Sequence, residues 1–220
     1  MYQSAFKILH LTETALLKVQ NDILRAVDDN KSVILPLVDL SSAFDTVDHL
    51  ILLSRLSHRF GIGGNALAWF DSYLKSRKQS VQNEDCYSLQ RCLAHGVPQG
   101  SVLGRLLYLL YTSPVADIIN LHSLQYHLYA DDSQLYISFK TDCFADLAQA
   151  KSSVELRVKD IDWWMTNNML KLNQEKTELT VISSKFRPRS AIPCVSVGDE
   201  QILPQILVSH LMNAVIWWNM

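Results

Sequence analysis

Apolar positions along the chain change period several times, and each change marks an expected element. Leu16, Val19, Ile23 and Val27 recur at helical spacing, with Thr12 or Thr14 as a cap and Asp28-Asp29-Asn30 as a stop. Val33 to Val38 is an unbroken apolar run suited to a buried strand, although Pro36 removes one ladder donor. Asp48 is placed to cap a helix through Phe60, which Gly61 stops. Asn65 to Ser76 predicts another helix, and Arg77 to Ala94 a strand pair around Glu84-Asp85.

Gln99 to about Asn120 predicts one largely apolar helix, ~33 Å long at ~1.5 Å per residue. Leu124 to Phe139 predicts two strands with Tyr129-Ala130-Asp131-Asp132 at or near their turn. A helical pattern covers Asp142 to Leu170, and Glu178 to Ser183 is a strand. Setting aside the 48–95 insertion, the order is strand, helix, strand, strand, helix, strand. That is the split β-α-β order of a ferredoxin-like α+β sheet, in which the first strand lies beside the central hairpin.

The 220 residues are 48% hydrophobic and 19% charged, enough to bury a core. Twenty basic and 22 acidic residues leave a net charge of −2, which argues against a broad cationic surface and leaves room for a local basic groove. Lys75, Arg77 and Lys78 form one basic cluster and Lys185, Arg187 and Arg189 another; such clusters are usually solvated. Cys86, Cys92, Cys143 and Cys194 show no zinc-site spacing and read as free thiols. His49, His58, His95, His122 and His127 are scattered without metal-ligand spacing. With no secretory start, the expectation is an intracellular protein of nucleus or cytoplasm. Val102 to Ile119 carries Arg105 and Asp117 and is expected to fall short of a membrane span, so no membrane partner is expected. Nothing in the sequence sets the oligomeric state.

In the expected topology Asp39 closes the first strand, and Asp131 and Asp132 sit on the turn of the neighbouring hairpin. Three carboxylates would then converge at one sheet edge, where their repulsion calls for a cation. Hard oxygen ligands without His or Cys favour Mg²⁺, and a pair of such ions is the arrangement that serves phosphoryl transfer. The plainer reading of each acid is a turn residue or a helix cap.

Three segments raise the first reading above the plainer one. Val38-Asp39-Leu40-Ser41-Ser42-Ala43-Phe44-Asp45-Thr46-Val47-Asp48-His49, Gly96-Val97-Pro98-Gln99-Gly100-Ser101-Val102-Leu103-Gly104 and Tyr129-Ala130-Asp131-Asp132 resemble, in this order, the palm motifs of reverse transcriptases, above all those of LINE-type (non-LTR) retrotransposons. Leu170 to Glu178 is similar to the segment after the catalytic hairpin, and Phe6-Lys7 with Thr12 to Leu17 resembles the entry from fingers to palm. The resemblance runs from about Gln3 to Val197. It implies a polymerase palm with partial fingers: a fingers remnant over 1–32, the palm over 33–197 and a divergent tail over 198–220.

The resemblance implies roles as well. Asp39, Asp131 and Asp132 would be catalytic and, with the Leu40 carbonyl, would hold two Mg²⁺ ions. Phe44 matches the aromatic steric gate that favours deoxynucleotides, or is a core aromatic. Gln99 and Gly100 would meet a phosphate or the template backbone at the helix start, or only shape the turn. Tyr129 would lie near the primer end. Lys176, with Lys171 as competitor, would protonate the leaving pyrophosphate, or is a solvated loop lysine. The partners implied are an RNA template, a DNA primer and dNTP.

Departures from the family's pattern accompany the likeness. Arg105 stands where a Pro is usual, Lys7 where an Arg is usual, and the resemblance fades before a tail, Ser209 to Met220, that reads as out-of-frame or intron-derived. The expectation is therefore a truncated reverse transcriptase domain, weak or inactive as it stands. Its rivals are a non-catalytic retrotransposon-derived remnant with at most weak nucleic-acid binding, and an unrelated Mg²⁺-dependent phosphotransferase.

Overall fold

A computed structural model describes residues 12–41, 43–120, 124–129, 132–186, 194–197 and 200–208. In chain order the first elements are α1 (Thr12–Asp28), β1 (Lys31–Val38), β2 (Leu40–Ser41), α2 (His49–His58) and α3 (Gly64–Leu74). Four short strands follow, β3 (Lys78–Gln79), β4 (Gln82–Asn83), β5 (Cys86–Tyr87) and β6 (Arg91–Cys92), then α4 (Val102–Thr112) and α5 (Val115–Asn120). The last stretch holds β7 (Gln125–Tyr129), β8 (Asp132–Lys140), α6 (Phe144–Asn167), β9 (Lys171–Leu172), β10 (Glu178–Ser183), β11 (Val195–Val197), β12 (Glu200–Ile202) and β13 (Gln205–Val208). The expected Thr12 or Thr14 cap, Phe6-Lys7, Arg187 and Arg189 concern side chains or residues outside this description. Contacts divide the chain into two units, one made of 1–41, 115–165 and 171–220, the other of 42–114 and 166–170.

The first unit is built on one sheet of order β13-β10-β1-β8-β7. β1 lies antiparallel to both β8 and β10, as the ferredoxin-like order requires. Ser32 to Pro36 are all buried, which explains a strand without polar alternation. Pro36 is accommodated inside this central strand by a gap. The ladder to β8 runs from Lys31↔Lys140 to Ile34↔Ile137 and resumes at Leu37↔Gln134, while the ladder to β10 is continuous through Pro36↔Leu179. β13 was not foreseen; it extends the sheet parallel to β10, from Thr180↔Gln205 to Ser183↔Val208.

Leu16, Val19, Ile23 and Val27 of α1 cluster with Val33, Leu35, Tyr136 and Ile182. A polar tie locks the same helix: the Tyr136 hydroxyl and the Lys18 ammonium reach Asp22 Oδ2 at 2.6 and 2.7 Å. Burial alone would raise the Asp22 pKa, but these two hydrogen bonds and the charges of Lys18 and Arg25 outweigh it and hold the carboxyl below its ordinary value. Asn30 ends the helical turn in the left-handed region (φ 60°), which Asn tolerates better than most side chains. In α6, Trp164 is buried and Trp163 exposed, as paired indoles at a helix surface are expected to be.

In the second unit α2 packs against α3 and α4. Asp48 caps α2 as expected, its Oδ1 accepting from the Leu50 and Ile51 N–H groups at 2.8 and 2.9 Å. Gly61 (φ 67°) turns the chain so that the Ile62 N–H reaches the Leu56 carbonyl. The strand pair around Glu84-Asp85 is present as two nested pieces, β3 with β6 and β4 with β5.

The single helix expected over 99–120 is corrected in two respects. It begins at Val102, with Ser101 as cap: its Oγ accepts from the Gly104 N–H at 2.9 Å and donates to the Pro98 carbonyl at 2.8 Å. It also breaks between α4 and α5, because Pro114 has no N–H for the Leu110 carbonyl; the Ser113 hydroxyl donates to that carbonyl instead, at 2.9 Å. By length and composition Val102–Asn120 is long and apolar enough to cross a membrane, contrary to expectation, yet Leu107, Tyr108, Tyr111, Val115 and Ile119 are all buried inside protein. Arg105, which stands where a Pro is usual, is exposed.

Gly104 is required where α4 starts, since a Cβ there would overlap the Pro98 carbonyl oxygen. Gly104→Ala is expected to lower unfolding stability by about 1–3 kcal/mol, read as a shifted urea midpoint at unchanged slope.

Candidate active site

β1 delivers its last described pair with β8 at Val38↔Ser133, and the hairpin of β7 and β8 delivers its last pair at Tyr129↔Asp132. Asp39 follows Val38 and Asp132 precedes Ser133, so both predicted residues come at the same end of the sheet. Ala130 and Asp131, which link β7 to β8, lie outside the described residues, and for Tyr129 and Asp132 only the backbone is described. Among the described residues no group of three or more His, Cys, Asp or Glu side chains gathers at metal-binding distance. The acids predicted for this sheet end would offer oxygen donors, which suit a hard divalent cation.

Past Asp39 the chain forms a two-residue ladder, β2 with β9, pairing Leu40 with Leu172 and Ser41 with Lys171. This ladder carries the segment after β9 onto Asp39. The Asn173 N–H donates to the Asp39 carbonyl at 2.9 Å, and the Asn173 amide nitrogen reaches Asp39 Oδ2 at 3.5 Å. Asn173 also folds its own loop: its Oδ1 accepts from the Lys176 N–H at 3.3 Å, and its carbonyl from the Thr177 hydroxyl at 2.7 Å. The turn so formed presents the Lys176 ammonium 3.7 Å from Asp39 Oδ2, with the lysine side chain 72% and the aspartate 24% exposed. Of the two competing lysines, Lys176 is the one brought to Asp39; Lys171 is exposed opposite Ser41.

Asn173 was missed in the sequence, where it stands as one polar residue in Leu172-Asn173-Gln174-Glu175-Lys176-Thr177. The available signal was the capacity of Asn to close a local turn by bonding a backbone N–H a few residues on. No sequence signal pointed to its bond with Asp39.

Phe44, Gln99 and Gly100 belong to the second unit. There the two motifs that hold them are laced together: the Gly96 N–H donates to the Val47 carbonyl at 2.8 Å and the Val97 N–H to the Phe44 carbonyl at 2.9 Å. Gly96 (φ 90°) is needed for this approach, since a Cβ would stand 3.0 Å from the Asp45 carbonyl oxygen. The Phe44 ring is half-buried and stacks on Tyr108 at 4.5 Å, so it is anchored from one side. Gln99 and Gly100 are exposed in the turn before Ser101, Gly100 with φ 75°, and therefore precede the helix start they were expected to form.

Arg55 and Tyr111 stiffen this unit. The Arg55 guanidinium donates to the Tyr111 carbonyl and to Asn168 Oδ1, lies 4.8 Å over the Tyr111 ring, and the Tyr111 hydroxyl donates to the Asn168 carbonyl. Burial lowers the Arg55 pKa and raises that of the Tyr111 phenol, each away from its charged form.

A family model described as reverse transcriptase (RNA-dependent DNA polymerase) matches residues 2–197. The chain is 30% identical over 181 residues to a probable RNA-directed DNA polymerase from transposon BS of Drosophila melanogaster, covering 80% of this chain and 19% of that protein. It is 28% identical over 188 residues to a probable RNA-directed DNA polymerase from transposon X-element of the same species, covering 84% and 20%. The chain thus spans about a fifth of the length of the curated relatives it matches. Among solved structures, apo telomerase from Candida tropicalis truncated from its C-terminal domain gives a TM-score of 0.60 at 14% identity, over 90% of this chain and 39% of that one. Telomerase from Candida albicans, solved in complex with a TWJ fragment of telomeric RNA, gives 0.59 at 12% identity, over 91% and 34%. At these identities the structural likeness concerns the fold.

Asn173→Ala is expected to release the turn that carries Lys176. In hydrogen exchange the amides of Asp39-facing residue 173 and of Lys176 and Thr177 should exchange about tenfold faster, the equivalent of one lost hydrogen bond, while Val181 and Ile182 of β10 keep their protection.

Proposed function

The chain belongs to the reverse transcriptase (RNA-dependent DNA polymerase) family and carries its α+β palm, and from that premise we propose that it joins deoxynucleotides to a primer 3′-hydroxyl on an RNA template. The observation that supports the reading is the pairing of Val38 with Ser133, which brings the end of β1, followed by Asp39, to the start of β8 at Asp132.

Asp39, Asp131 and Asp132, with the Leu40 carbonyl, would hold two Mg²⁺ ions. When bound, such ions supply positive charge to the attacking and leaving oxygens of an in-line displacement. The remaining work falls to the chain's own groups. The primer oxygen bonds to the α-phosphorus as its proton passes to water, the bond from the α-phosphorus to the bridging oxygen breaks, and the departing pyrophosphate gains a proton. Lys176 donates that second proton from its place next to Asp39. Phe44, braced on Tyr108, crowds a ribose 2′-hydroxyl and so selects deoxynucleotides. Gln99 and Gly100 face the template or the incoming phosphates, and Tyr129, the last residue of β7, lies by the primer end.

Primer extension on an RNA template with Mg²⁺ tests this reading. The double variant Asp131→Asn, Asp132→Asn is expected to lose activity by roughly a thousandfold, equivalent to several kcal/mol of transition-state stabilisation. Folded wild-type chain that extends no primer would favour a retrotransposon-derived remnant without catalysis. Phe44→Val is expected to raise ribonucleotide over deoxynucleotide incorporation by roughly 10–100-fold, the scale of a cleared steric contact.

A further inference from the structure

The basic cluster at Lys75, Arg77 and Lys78 has no part in the chemistry above, yet the second unit gives one of its members an unusual setting. Trp69 and Tyr73, one turn apart on α3, stack at 5.6 Å with their planes 14° apart, and Trp69 meets Phe70 edge-on at 5.2 Å. α3 ends at Leu74, and Ser76 (φ 59°) reverses the chain so that the Arg77 guanidinium lies 5.1 Å over the Tyr73 ring. The carboxylate of the last helical turn, Asp71, is already taken by Lys75 at 2.6 Å. Among the described residues no carboxylate pairs with Arg77. Contact with a ring occupies the face of a guanidinium and leaves its N–H edge available.

Arg77 also lines a cleft of about 510 Å³ with Gln79, Asp45, His95, Pro98 and Gln99, among others. His95 is turned to Asp48, 3.8 Å away, and Asp45 brings a negative charge to the same cleft. Arg77 is therefore the fixed cation of a cleft that also holds Gln99. An unpaired, ring-braced arginine beside two primary amides, with an exposed indole on the same ladder, fits the backbone phosphate of a nucleic-acid strand whose neighbouring base can stack on Trp69.

We propose that Arg77, held on the Trp69–Tyr73 stack, is a backbone-phosphate contact for the nucleic-acid strand that enters this cleft. The inference rests on the reading of the chain as a nucleic-acid polymerase.

The test is fluorescence anisotropy of the full chain with a labelled single-stranded RNA over a range of salt concentrations, with melting curves to verify folding. Arg77→Gln is expected to bind about tenfold more weakly, and the slope of log affinity against log salt should flatten by about 0.7, one phosphate contact. Arg77→Lys should restore the slope, and Arg77→Met, which keeps the apolar stem over Tyr73, replaces the Gln variant if that one unfolds. Affinity for free deoxynucleotide should be unchanged in all of them; loss of nucleotide binding with RNA binding intact would overturn the assignment to a strand. So would RNA binding by the uncharged variants at wild-type affinity and slope. Wild-type chain that binds no RNA at all would overturn the polymerase reading first, and this contact with it.

Discussion

The architecture depends on β1 being buried on both faces and paired along both edges. A strand that is apolar throughout receives no register from alternation, because either face can point inward. Its register must come from its ends and its interruption. Pro36, unable to donate, sits in the gap of the β8 ladder while the β10 ladder continues past it. The polar Lys31 opens the strand and Asp39 follows its end. A slip of one residue would move the gap onto a position that does have an N–H to satisfy, and would leave that donor buried without a partner. Pinning β1 also pins where Asp39 emerges, and that is at the end of the sheet where β8 begins.

Much of this was legible from the order and bounds of the elements. The run at Glu178–Ser183 is β10 to the residue, Asp48 caps α2, and the strand-helix-strand-strand-helix-strand order yields β10-β1-β8-β7. These features are local, or follow from local features by a topological rule. What escaped notice is decided by remote partners. β2 and β9 are two residues each and exist only because they meet across some 130 residues of chain. β13 is recognisable as a strand only through β10. The break at Pro114 was visible as a proline, but the apolar periodicity on both sides of it outweighed that signal in the reading of 99–120. Gly104 gave no hint that the Pro98 carbonyl would press on it, since that approach follows from the turn that Ser101 closes.

The candidate site shows the same division. The identities and order of Asp39, Phe44, Gln99, Tyr129, Asp131, Asp132 and Lys176 were read from motifs, and the arrival of Asp39 and Asp132 at one end of the sheet follows from topology. The role of Asn173 was beyond reach, because its partner Asp39 lies 134 residues away and its contribution is to hold a loop in place.

The carboxylates differ in the manner in which they are held. Asp22 takes two short hydrogen bonds, 2.6 and 2.7 Å, from groups on α1 and β8 and fastens the one to the other. Asp48 takes two backbone N–H groups at 2.8 and 2.9 Å and starts a helix. Each is held at one oxygen by two donors within 2.9 Å. Asp39 is about as exposed as Asp22 and differs in its donors: its carboxyl is approached by an amide at 3.5 Å and by a largely solvated ammonium at 3.7 Å. An exposed ion pair of that kind is worth at most about 1 kcal/mol, so Lys176 can leave at little cost while the Asn173 backbone bond keeps Asp39 in position. A carboxylate fixed through its main chain and only loosely engaged through its oxygens has acceptor capacity in reserve. That is the condition a charge-binding residue needs and a purely structural one has no reason to keep.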